Sequence, residues 1–185
     1  MLFESIERSD PDTLARLIGQ AGNRAGVNRQ GHHLLEVWAM HRIYDEDWPA
    51  AGRCLDLLLA NGFVADAPGS DKRTALTLAC EAGAIVQAEW LFDHYDWAFN
   101  APDDAGRAPL ATLLASPFTP SHYRAMTAKD FRQRRDALSV KLVQRGARLD
   151  LADADGNTAL SYCPTIALRK ALERAALKRE PAALD

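Results

Sequence analysis

Apolar residues recur along the chain in a fixed order: a short run set off by a leucine, then a longer helical stretch. The clearest short run is Thr74-Ala75-Leu76-Thr77-Leu78-Ala79-Cys80-Glu81-Ala82-Gly83. Related runs are Ala108-Pro109-Leu110-Ala111-Thr112-Leu113-Leu114, Thr158-Ala159-Leu160-Ser161-Tyr162-Cys163 and, more loosely, His33-Leu34-Leu35-Glu36-Val37-Trp38-Ala39. Leu35, Leu76, Leu110 and Leu160 anchor these copies. Between them lie apolar helical stretches that end at a glycine or a turn: Leu55 to Gly62, Val140 to Gly146, and Trp90-Leu91-Phe92 before Tyr95. Self-similarity of this kind is the mark of a repeat architecture, in which one unit cannot bury its apolar face alone.

The polar positions punctuate the same order. Asp103-Asp104-Ala105-Gly106-Arg107 and Asp153-Ala154-Asp155-Gly156-Asn157 are turns, since Asp bonds its own backbone and Gly accepts positive φ. Thr74 and Thr158 stand where an N-cap is needed, and Pro109 fits a first helical turn. Gly62, Gly83 and Gly146 suit left-handed positions just past helix ends. The implied unit is turn, short helix, tight turn, longer helix and return loop.

On these residues the chain resembles the ankyrin repeat family. Asp103 to Gly106 with Ala108-Pro109-Leu110 is similar to the family's opening, Thr74 to Gly83 to its middle, and Leu142 to Asp150 to its close. Phe99-Asn100 and Leu149-Asp150 stand where the family has Val-Asn. The resemblance implies an all-α repeat solenoid of stacked helix-turn-helix units with short hairpin-like turns. One domain would span 1–185, with units at about 2–29, 30–66, 67–100, 101–150 and 151–180, the first and last acting as caps. The chain departs from the pattern at Lys72, which replaces a turn glycine. It departs again at Trp38, Leu113 and Leu114, which stand in place of small alanines.

Two segments interrupt the pattern. One is about Arg42 to Pro49, the other about Ser116 to Asp136. Ser116-Pro117-Phe118-Thr119-Pro120 is incompatible with a helix. Thr127 followed by Asp130 reads as an N-cap with its acid three residues on. Phe131, Arg135, Leu138 and Leu142 then follow at helical spacing, which predicts a long helix from near Ala128, roughly 27 Å in length. The insertions either grip a partner through Tyr44, Trp48, Phe118, Tyr123 and the basic run Arg132, Arg134, Arg135, or cover apolar surface that imperfect repeats leave open. The aromatic group Trp90, Phe92, Tyr95, Trp97 and Phe99 is expected to pack in the core or between units.

Composition narrows the function. At 48% hydrophobic and 25% charged, with net charge −3, the 185 residues suit a folded chain without general attraction to polyanions. The acidic start, Glu4 to Asp12, does not fit a signal peptide, and no run reaches the length of a membrane helix. The expectation is cytoplasmic. Abundant Ala, and Arg in excess of Lys, hint at a bacterial source. Cys54, Cys80 and Cys163 are too scattered for a disulfide framework or zinc cage and read as small buried residues.

No nucleophile-and-base arrangement or glycine-rich phosphate loop is present. His32, His33, Glu36 and His41 have metal-like content, but the resemblance implies that His33 stands at the family's Thr capping position and Glu36 at its His position. Asp103 and Asp104 read as solvated turn carboxylates. The reading is therefore a non-catalytic protein-binding adaptor, regulator or inhibitor without cofactor or metal. A structural subunit that stabilises an obligate complex is the alternative; an enzyme or a nucleic-acid binder is disfavoured. The expected partners are proteins rather than nucleic acid or membrane, and the chain alone is expected to be a monomer. In ankyrin proteins partners touch the turn tips and the exposed face of the first helix. Carried onto this chain, those positions are His32, Asp71, Arg73, Leu78, Glu81, Asp104, Arg107, Thr112, Asp155 and Asn157, joined by Trp48, Arg132 and Arg135 from the insertions. The row leans acidic, so a basic partner is expected.

Overall fold

The computed structural model describes residues 1–21, 33–41, 43, 47–64, 67–69, 71–94, 98–116 and 126–178. Among them the fold is all-helical; the only extended pairing is a single antiparallel bridge between Ala152 and Thr158. The helices come in pairs: α1 (Leu2–Glu7) with α2 (Pro11–Ala21), α3 (Leu34–Met40) with α4 (Trp48–Ala60), α5 (Ala75–Glu81) with α6 (Ile85–His94), and α7 (Pro109–Ala115) with α8 (Ala128–Gln144). A 3₁₀ turn, Ala159–Tyr162, precedes the last helix, α9 (Ile166–Leu177). The short first helices pack in chain order: α1 on α3, α3 on α5, α5 on α7, and α7 on the 3₁₀ turn. On the other side α2 packs on α4, α6 on α8, and α8 on α9.

The capping chemistry explains where these helices begin. Thr74 Oγ1 accepts the Thr77 N–H at 3.2 Å. His33 caps α3 from the backbone side, its N–H donating to the Glu36 carboxylate at 2.6 Å. At α8, Thr127 Oγ1 accepts the Asp130 N–H at 3.2 Å while Asp130 accepts the Thr127 N–H at 3.1 Å. This reciprocal pair satisfies two otherwise orphaned donors. The helix then runs 17 residues, about 25 Å, as its start signal predicts. Gly62, Gly83 and Gly146 take φ of 84°, 68° and 117°.

The core is continuous from Ile6 to Ala175. Leu35, Leu76, Leu110 and Leu160 are each the second residue of their element. Leu76 and Leu110 are fully buried, whereas Leu160, in the weaker 3₁₀ geometry, is only half-buried. Trp38 is buried among aromatic neighbours. It lies 6.2 Å from Trp48 and 6.0 Å from Trp90 between ring centroids, and its Nε1–H donates to the Ala51 carbonyl at 2.8 Å. Phe92 and Phe99 pack together at 5.7 Å, so they and Trp90 serve packing as expected. Tyr95 and Trp97 lie outside the described residues.

Several expectations need correction. Trp48 and Pro49 are not loop residues: they open α4, where proline needs no hydrogen-bond partner, and Trp48 rests half-buried against Trp38. Cys54 and Cys80 are buried, and burial pushes their thiols up to about 11 and about 12, but Cys163 is partly exposed. No helix among the described residues is long and apolar enough to cross a membrane.

Candidate partner-binding site

Three turns precede α5, α7 and the 3₁₀ turn, and they share one geometry. Each is closed by a backbone bond from its first to its fifth residue: Gly69 N–H to the Arg73 carbonyl (2.8 Å), Asp103 to Arg107 (3.1 Å), and Asp153 to Asn157 (2.8 Å). The fourth residue has positive φ in every case: Lys72 at 59°, Gly106 at 77° and Gly156 at 80°. Lys72 thus keeps the turn that glycine makes elsewhere, against the usual Cβ penalty.

Asp103 and Asp153 hold their turns from inside. Asp103 Oδ1 accepts the N–H groups of Ala105 (2.9 Å) and Arg107 (2.8 Å); Asp153 Oδ1 accepts those of Asp155 (3.0 Å) and Asn157 (2.9 Å). The Tyr162 hydroxyl donates to Asp153 Oδ2 at 2.5 Å and holds that carboxyl below its usual range. Asp103 is buried, which corrects its reading as a solvated carboxylate, whereas Asp104 is exposed. In the first turn the equivalent position is Gly69, because the buried Glu36 carboxylate occupies that space: a Cβ there would stand 2.0 Å from Glu36 Oε1.

Backbone bonds also tie each turn to the next. Asp104 N–H donates to the Asp71 carbonyl at 3.1 Å, and Ala154 N–H to the Ala105 carbonyl at 2.9 Å. The junction of the second and third turns is tight. A Cβ on Gly106 would meet Ala154 N at 3.0 Å and Asp153 Cα at 3.1 Å, while one on Gly156 would meet nothing within 4 Å. Gly156→Ala is therefore expected to cost only the left-handed strain, about 1 kcal/mol, and Gly106→Ala about 2–3 kcal/mol because the third turn must also shift. Chemical denaturation of the two variants checks this, and equal losses would refute the close approach.

Side chains reinforce the ladder. Arg73 pairs with Asp71, and its Nη1 reaches Glu81 Oε2 at 2.5 Å. Arg107 Nη2 reaches Glu81 Oε1 at 3.3 Å and Asp103 Oδ2 at 3.1 Å. Glu81, at the end of α5, therefore joins arginines from two successive turns. Lys72 reaches across to Asp104 at 3.1 Å. The Arg73 side chain holds the Asp71 carboxyl below its usual range. Burial works against the charged form of Arg107, but Asp103 and Glu81 outweigh it and raise its pKa. Such half-exposed pairs add little stability; their effect is to fix which groups face outward. Asp71, Arg73, Asp103, Asp104, Ala105 and Arg107 line a notch of about 190 Å³.

Five expected site residues, Asp71, Arg73, Glu81, Asp104 and Arg107, thus converge. Asp155 and Asn157 sit on the adjoining turn, Asp155 exposed. His32 lies outside the described residues, as do Tyr44, Phe118 and Tyr123. Others do not belong to this surface. Thr112 is buried and donates its hydroxyl to the Ala108 carbonyl at 3.3 Å, and Leu78 is buried in the core. Arg135 is buried too, on the stripe that holds Phe131, Leu138 and Leu142, with its guanidinium on Asp136 at 2.8 Å. Arg132 is exposed on α8, and Arg134 pairs with Glu89 of α6 at 3.3 Å. Burial raises the Glu89 carboxyl, with Arg134 opposing the shift.

Among the described residues no group of three His, Cys, Asp or Glu side chains could hold a metal ion. His41 instead offers its carbonyl to Gln87 Nε2 at 2.6 Å. No protein-family model matches the chain, and no curated protein is detectably similar to it.

Proposed function

We propose that the helix pairs are divergent ankyrin-type repeats stacked into one solenoid, and that the chain is a non-catalytic module that binds a protein along its turn ladder. The reading rests on the equivalence of the three turns. They repeat the same five-residue closure and the same positive-φ position, and backbone bonds run from one to the next. A row of tips held at fixed spacing suits an extended segment of a partner better than it suits a small substrate, which needs a deep apolar cavity.

The charge pattern indicates the partner's character. Asp104 and Asp155 face solvent, while Arg73 and Arg107 are turned inward onto Glu81, Asp71 and Asp103. Lys72 is also exposed and pairs with Asp104, so the outward display keeps only a small acidic excess, centred on Asp155, which favours a basic partner segment. Affinity capture followed by mass spectrometry identifies that partner. Reversing both tips, Asp104→Lys with Asp155→Lys, is expected to weaken its binding at least tenfold, with a steeper loss at low salt. An unchanged dissociation constant would remove the ladder as the binding surface.

A further inference from the structure

We propose that the outward face of α9 docks a second copy of this chain, helix against helix, antiparallel and about a two-fold axis. The inner face of α9 is settled by packing: Leu168, Leu172 and Ala175 are buried against the chain. The opposite face carries Ile166, Lys170, Glu173 and Leu177, all exposed. Their spacing of four, three and four residues is that of a helix–helix seam. Ile166 and Leu177 are 75% and 85% exposed, one at each end of this row. Lys170 and Glu173 make no ion pair with any described residue.

This row complements itself in one orientation only. With the axis crossing between positions 171 and 172, Ile166 meets the partner's Leu177 and Lys170 meets the partner's Glu173. The same two contacts recur by symmetry, as an isologous interface requires. The flanks fit as well. Arg169 then lies beside the partner's Ala176 and Arg174 beside the partner's Ala167, so small residues leave room and the arginine stems cover them. A parallel pairing would set Lys170 on the partner's Lys170 and Glu173 on the partner's Glu173, which like charges oppose. Such a dimer departs from the sequence-based expectation of a monomer, and the experiment below decides between them. One short helix per copy makes a small interface, so the dimer is weak.

Sedimentation equilibrium of the full chain, from micromolar up to about 1 mM, tests the pairing. The wild type is expected to pass from one chain mass to two. Lys170→Glu alone and Glu173→Lys alone are each expected to dimerise at least tenfold more weakly. An equimolar mixture of the two is expected to associate again, because every seam contact then joins a lysine and a glutamate. Ile166→Ser with Leu177→Ser is expected to weaken dimerisation similarly without changing charge. All four positions are exposed, so the circular dichroism of the variants is expected to match the wild type. A wild type that stays monomeric throughout, a dimer indifferent to both reversals, or a mixture that fails to associate would overturn the proposal.

Discussion

Trp38→Ala is expected to lower the unfolding free energy by about 3–5 kcal/mol, the cost of an emptied aromatic site that its surroundings cannot close. Trp38 is 1% exposed and wedged between Trp48 of α4 and Trp90 of α6. Its removal takes apolar contact from two helices at once and deletes the bond to the Ala51 carbonyl. Against a typical total stability of about 5–15 kcal/mol, the loss is large enough to threaten folding at moderate temperature. Trp38→Phe keeps most of the bulk and is expected to lose about 1–2 kcal/mol. Urea denaturation followed by far-ultraviolet circular dichroism separates the two. A loss under about 1 kcal/mol for Trp38→Ala would mean that α4 and α6 do not depend on this wedge.

The anchoring leucines supply the second large effect. Leu110→Ala is expected to cost about 3–5 kcal/mol and Leu160→Ala about 1 kcal/mol, although both occupy the second residue of the same motif. The reason is their surroundings. Leu110 is fully buried in α7, which packs on α5, on α8 and on the following 3₁₀ turn. Leu160 sits in that looser turn and keeps part of its surface in water. Thermal and urea unfolding of the two variants measure the difference. Comparable losses would contradict the burial difference between these positions.

The start of α8 was legible because its signal is local: Thr127 and Asp130 are three residues apart and satisfy each other's backbone. The turns were legible for the same reason, since each closes within five residues. What was not legible is long-range. Nothing near Glu81 in sequence announces that it joins Arg73 to Arg107, which come from different turns. Arg135 shows how two local patterns can compete. It belongs to a run of basic residues, but it also falls in register with Phe131, Leu138 and Leu142, and burial followed the register. Thr112 was misplaced by analogy: its hydroxyl donates to a carbonyl one helical turn back, so burial does not leave it unpaired. Lys72 marked a departure from the expected glycine, yet the backbone kept its left-handed turn. A residue change there did not imply a change of shape.

The crowding of Trp38, Trp48 and Trp90 at one corner has an optical consequence. The chain contains four tryptophans, and these three lie in contact, with His94 stacked on Trp90 at 3.9 Å. Their emission is governed by the corner where α3, α4 and α6 meet, whereas helical ellipticity averages over every segment from α1 to α9. Comparing the two signals during unfolding of a Trp97→Phe chain, which removes the fourth tryptophan's emission, distinguishes the melting of that corner from the melting of the far end.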